Sequence, residues 1–146
     1  MSSKTILCAI DFSESSIQAV KVALTVAKWM KAKVVIMYCY RLISEKDNDE
    51  VTLNLKKNIE NEASRKFSEL EAKLKSVPDV PYQFITEVGF FSFRIEMFIR
   101  KSSTSMLVTG DTVVQNFNDY KNLSFEQFVK TARIPVMIVP NGVKDL

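Results

Sequence analysis

Between Lys4 and Asp11 the chain runs Thr5-Ile6-Leu7-Cys8-Ala9-Ile10, and between Lys33 and Arg41 it runs Val34-Val35-Ile36-Met37-Tyr38-Cys39-Tyr40, neither with a charge inside. Short apolar runs that do not alternate with polar residues mark strands covered on both faces. The stretch joining them opens with Asp11-Phe12-Ser13-Glu14-Ser15-Ser16, rich in side chains that cap helix N-termini. It continues with Ile17, Val20, Leu24, Ala27 and Met30 at helical spacing up to Lys31. Strand, helix and strand with short joints form the right-handed crossover of a parallel sheet. That opening unit restricts the chain to the α/β class.

The remainder repeats the theme. Arg41 to Glu50 is a polar connection whose acidic residues, Glu45, Asp47, Asp49 and Glu50, read as a solvated loop rather than a metal site. Leu55, Ile59, Ala63, Phe67, Leu70, Leu74 and Val77 form an apolar stripe that ends at Pro78, with Lys, Arg and Glu on the other faces, and predict a helix packed on the sheet. A third strand is expected over Tyr82–Val88, broken by Gly89, then a helix over Phe91–Lys101. At its start, Phe90-Phe91-Ser92-Phe93 reads as core or groove packing, with an aromatic binding patch as the alternative. The fourth strand is Ser105 to Thr109, ending at Gly110. A helix follows from Asp119 to Ala132, with Tyr120, Leu123, Phe128, Val129 and Ala132 inward. Pro135 to Val139 is the fifth strand. No repeat or linker interrupts the order, so residues 1–146 read as one domain with an open, doubly wound sheet. Such sheets bind ligands past the carboxyl ends of their strands, where the chain direction switches, and here Asp11 and Gly110 stand at two of those ends.

Composition narrows the function. With 20 basic and 17 acidic residues the net charge is +3, too balanced to make nucleic acid or an anionic membrane the expected partner. No apolar run approaches the length of a membrane span. Met1-Ser2-Ser3-Lys4 leads directly into the first strand, so no signal peptide is expected and the cytoplasm is the expected address. The absence of histidine removes Ser-His-Asp and Cys-His catalysis and most transition-metal sites. Cys8 and Cys39 sit in strand-like runs and read as reduced core residues. Glycine is scarce: three residues, against roughly ten at average usage. Phosphate cradles need close backbone approach, so few places remain to build one.

The chain resembles the universal stress protein family over nearly its whole length, most specifically at its two ends. Ile6-Leu7-Cys8-Ala9-Ile10-Asp11-Phe12-Ser13-Glu14, Val34-Val35-Ile36-Met37-Tyr38, Met106-Leu107-Val108-Thr109-Gly110 and the closing Ala132-Arg133-Ile134-Pro135-Val136-Met137-Ile138-Val139-Pro140 carry the match. The resemblance implies a three-layer α/β/α sheet ordered 3-2-1-4-5, a cytoplasmic stress-linked role, and homodimers paired along the fifth strand. ATP-binding members of that family carry Gly-x-x-Gly, nine further residues, then Gly-Ser or Gly-Thr after strand four. Here Gly110 matches the first glycine and Val113 replaces the second, where a β-branched side chain resists positive φ and fills ligand space. Counting forward places the final pair on Leu123-Ser124; counting back from Pro135 places it on Asn122-Leu123. Asp111 adds negative charge beside the triphosphate position. By the same resemblance Asp11 and Cys39 lie where binding members contact the adenosine. The pocket candidates are therefore Asp11, Ser13, Cys39, Gly110, Thr112, Asn122 and Ser124, and an Asp at the end of strand one also serves to cap the next helix.

Three functions compete. The first is a regulatory stress module that binds no ATP and acts through homodimerisation and contacts with other proteins. The second is an adenine-nucleotide sensor for ATP, ADP or AMP with a degraded phosphate loop. The third is an enzyme of the related hydrolase fold, which needs a Ser-Gly-Gly-x-Asp-Ser loop. Asp11-Phe12-Ser13-Glu14-Ser15 has the serines without the glycines, so no enzyme is expected. Phe117, Tyr120 and Phe125 either collapse into the emptied cleft or cover the helix, or they line a groove for another ligand or a partner peptide. Val136, Met137, Ile138 and Val139 form an uncharged edge and are the expected dimer interface, unless the tail Asn141 to Leu146 covers it.

Overall fold

The computed structural model describes residues 4–42, 50–74, 77–117 and 124–142. Five strands form one parallel sheet in the order β3-β2-β1-β4-β5. The central strand is the first, β1 (Lys4–Ile10), flanked by β2 (Ala32–Tyr40) and β4 (Thr104–Gly110). Its unbroken apolar run follows from that position. Ile6, Cys8 and Ile10 enter one core while Leu7 and Ala9 enter the other, and none is more than 1% exposed.

The first core lies under α1 (Glu14–Met30) and α2 (Glu50–Ala72), the second under α3 (Phe91–Lys101) and α5 (Phe125–Ala132). Helix α1 stops at Lys31, a left-handed residue (φ 56°) whose N–H returns to the carbonyls of Ala27 and Lys28, and β2 begins at the next residue. The strand therefore starts two positions before the expected Val34, pairing Ala32 with Lys4 and Lys33 with Thr5.

Helix α2 departs further from expectation. It begins at Glu50, not near Leu55, and ends at Ala72, with Leu74 and Val77 packing on the core from beyond it. Only Ala63, Phe67 and Leu70 are buried, whereas Val51, Leu53 and Leu55 are exposed. Twenty-three residues span about 34 Å, longer than the seven-residue strands beneath, so the first turns overhang the sheet.

The edge strands are β3 (Tyr82–Val88) and β5 (Val136–Val139), the latter pairing Val136 with Leu107 and Val139 with Gly110. Between β4 and α5 the chain makes an unexpected short helix, α4 (Asp111–Gln115). The expected helix over Asp119–Ala132 is described only as α5; Asp119, Tyr120, Asn122 and Leu123 lie outside the described residues, as do Glu45, Asp47 and Asp49 of the acidic connection and residues 143–146 of the tail.

Candidate functional site

The carboxyl ends of β1, β2 and β3, with Val113 of α4 and the residues just after that helix, surround a cleft of about 230 Å³. Asp11 forms its floor with Ile10, Cys39 and Tyr40 line one side, and Val113, Asn116 and Phe117 come from the α4 side. Of the residues the sequence singled out, Asp11 and Cys39 line this cleft, whereas Ser13, Gly110, Thr112 and Ser124 are not among its lining residues.

Asp11 is committed to the β1–α1 turn. Its Oδ1 accepts from the Ser13 N–H (3.0 Å) and from the Ser16 hydroxyl (2.8 Å), while Ser16 Oγ accepts from the Asp11 N–H (2.9 Å). Ser13 occupies the N-cap position of α1 without making a side-chain cap bond. The carboxylate thus organises the turn and supports the helix start through Ser13 and Ser16. Between them Phe12 adopts φ 64°, a left-handed conformation uncommon for a bulky residue. Its ring packs on Tyr38 (4.8 Å between centroids) and Phe84 (6.0 Å), which is what holds the turn in that conformation. Tyr38 titrates above its ordinary range because it is partly buried, with Asp11 and then Cys39 adding to the effect.

Gly110 ends β4 with an ordinary negative φ (−87°), so conformation does not demand glycine there. Space does. A Cβ would lie 2.5 Å from Ser15 Oγ and 2.8 Å from the Ser15 carbonyl carbon. The strand end abuts the first turn of α1, and Ser15 Oγ accepts the Thr112 N–H at 3.1 Å, linking α1 to α4. Thr112 is accordingly engaged through its backbone, and Val113, at the second glycine position of the ATP motif, sits in helix with its side chain 94% buried against the cleft (6% exposed). Ser124 is the N-cap of α5: its Oγ accepts from Gln127 N–H (3.1 Å) while Gln127 Oε1 accepts from Ser124 N–H (3.0 Å), a capping box that accounts for the hydroxyl. Asn122 lies outside the described residues.

Arg41 is a wall residue the sequence did not single out, whereas Gly89 and Phe90 were named there as strand end and aromatic string. Arg41 stacks over the Phe90 ring at 4.0 Å, and Gly89, at φ 141°, turns the chain from β3 into that wall. A cation following an apolar strand was the available signal. Phe117 and Phe125, suspected of closing the cleft, instead join Phe91 and Phe128 in an aromatic cluster on the second core, with centroid separations of 5.2–6.0 Å. Phe117 also borders the cleft, which stays open beside Asp11. Cys39 is half-buried on the cleft wall, whereas Cys8 is fully buried and burial pushes its thiol far up.

At the β5 edge, Ile138 is 45% exposed and Val136 and Met137 are half-buried, but Val139 is 2% exposed and belongs to the first core. Among the described residues no cluster of three or more His, Cys, Asp or Glu could hold a metal ion, and no helix is long and apolar enough to cross a membrane.

Solved structures share this architecture over nearly the whole chain. The universal stress protein UspA from Lactobacillus plantarum superposes with a TM-score of 0.72 at 14% identity, covering 95% of this chain and 99% of that one. A universal stress protein in complex with cAMP gives 0.69 at 17% identity, covering 97% and 100%. The universal stress protein from Archaeoglobus fulgidus in complex with dAMP gives 0.62 at 15% identity, covering 95% and 99%. No curated protein matches the sequence. The profile of the universal stress protein family matches residues 2–140. With the sheet order, the Asp11 turn and the β4–α1 contact at Gly110, that match assigns the chain: it belongs to the universal stress protein family.

Proposed function

We propose that this chain is a cytoplasmic stress-response module that does not hold Mg-ATP and acts as a homodimer through contacts with other proteins. The observation that carries the reading is Val113. Its side chain is buried against the cleft from a helical turn whose Thr112 N–H already bonds to Ser15. A phosphate cradle requires the reverse arrangement, with unpaired N–H groups and no side chain between them and the ligand. The triphosphate therefore does not fit these residues. The self-pairing part of the proposal rests on β5, an uncharged edge strand with Ile138 exposed; Val136 and Met137 would flank that contact, and Val139 is already used inside its own chain.

Calorimetric titration with Mg-ATP tests the reading. We expect no binding at micromolar concentration from the parent protein, and a gain in affinity from Val113→Gly combined with Leu123→Gly. Low-micromolar binding by the parent would overturn it.

A second reading, a sensor for a nucleoside monophosphate, is favoured by the open cleft and by the relatives solved with cAMP and dAMP. Native mass spectrometry of the purified protein separates the two: co-purified AMP or ADP supports the sensor.

A further inference from the structure

The amino end of the sheet, opposite the cleft, carries a concavity of about 430 Å³. Its floor is apolar, made by Ala27 of α1, Ala32 of β2 and Val80 before β3. Around that floor stand four exposed lysines from separate places in the fold: Lys4 opens β1, Lys28 lies in the last turn of α1, Lys31 caps that helix, and Lys33 is near the start of β2. Asp79 is the one acidic residue on this rim among the described residues, and none of the four lysines has a carboxylate partner within ion-pair distance there. The ion pairs printed among the described residues all lie within single helices, as Arg65 with Glu62 and Glu69, Arg100 with Glu96, and Lys130 with Glu126, so what marks the four lysines is their convergence on one apolar floor. Favourable helix-dipole placement explains Lys28 and Lys31 at the end of α1 but not Lys4 and Lys33, which are on strands.

Like charges gathered around a concave apolar floor repel one another until an anion arrives. The geometry points to a docking site for an acidic peptide segment of a partner protein, with carboxylates meeting the lysines and an apolar side chain between them covering the floor. Two features favour carboxylates along an extended chain over a phosphate backbone. Lysines are dispersed point charges without the guanidinium fork that grips phosphate, and the helix terminus here is a carbonyl end, not an N–H end.

The chain's single tryptophan, Trp29, is 69% exposed and adjacent in sequence to Lys28, and provides the reporter. The probe is a blocked peptide with two acidic residues on each side of a leucine, titrated against the full chain with Trp29 emission and calorimetry read in parallel, at about 0.05 M and about 0.5 M salt. We expect saturable binding that weakens at the higher salt. Lys28→Gln with Lys33→Gln should lower affinity about fivefold or more, while Lys57→Gln, an exposed lysine on α2, leaves it unchanged. All three positions are exposed, and an unchanged circular dichroism melt verifies that the variants fold. The proposal is overturned by no binding at low salt in either measurement, by equal weakening in Lys57→Gln, or by a single-stranded oligonucleotide of equal charge binding more tightly through the same lysines, which would assign the face to nucleic acid.

Discussion

Gly110→Ala separates the two reasons a glycine can stand at the end of β4. If only a ligand needs the space, alanine costs the free protein nothing and even gains about 0.7 kcal/mol by restricting the unfolded chain. The geometry says otherwise. The new methyl would meet Ser15 at three atoms inside 3.0 Å: Oγ at 2.5 Å, the carbonyl carbon at 2.8 Å and Cβ at 2.9 Å. Ser15 is fully buried in the first turn of α1 and bonded to Thr112, so neither partner retreats freely. Overpacking of this kind costs about 3 kcal/mol, and subtracting the unfolded-state gain leaves about 2 kcal/mol. For a domain of this size that is a fall of about 6 °C in Tm, read by far-ultraviolet circular dichroism, with an unchanged urea m-value. Repeating the substitution in a Ser15→Ala background removes the 2.5 Å contact and leaves the other two, so about half the cost should remain. A Tm within about 1 °C of the parent, or an equal loss in both backgrounds, would refute the packing argument.

Phe12 gives an inverted ranking: because its φ of 64° suits glycine, Phe12→Gly should be more stable than Phe12→Ala by about 1 kcal/mol in chemical denaturation, although both lose the ring packing on Tyr38 and Phe84. Under native conditions iodoacetamide should alkylate Cys39, on the cleft wall, well before Cys8, whose thiol burial keeps protonated; peptide mass spectrometry reads the order, and comparable early labelling of Cys8 would contradict its burial. Ile138→Lys should convert a dimer to a monomer in light scattering with the fold largely kept by circular dichroism, since the side chain is 45% exposed in the single chain; a parent protein that is monomeric at high micromolar concentration would end the edge-pairing proposal.

The strands were legible because a parallel sheet buried on both faces leaves long apolar runs, and residues 5–10 and 34–40 lie inside the observed β1 and β2. Helix limits were less so. The stripe from Leu55 to Val77 continues after the chain leaves α2 at Ala72, because Leu74 and Val77 reach the same core without helical geometry. Periodicity also cannot register where the sheet beneath a helix ends, which is why Val51, Leu53 and Leu55 are uncovered. Helix α4 is too short to show a period. At the cleft, the sequence could suggest Asp11's local work, since Ser13 and Ser16 lie two and five residues on, but not that of Gly110, whose contact with Ser15 joins residues far apart in the chain that only the fold brings together. The β5 edge was legible as an apolar run, yet only the strand's orientation separates exposed Ile138 from buried Val139.

The placement of β1 at the centre of the sheet has a consequence for how the protein is made. Of the five strands β1 is made first, yet its second side stays open until β4 follows almost a hundred residues later. Its β2 side can be covered early, but its β4 side waits for partners such as Thr109, whose hydroxyl bonds to the Ala9 carbonyl 100 residues upstream. At about 5–20 residues per second, that leaves an apolar strand with an open edge for roughly 5–20 s of synthesis. During that interval Ile6 to Ile10 is an aggregation hazard, and the nascent chain depends on chaperones or on the α1 crossover to shield it.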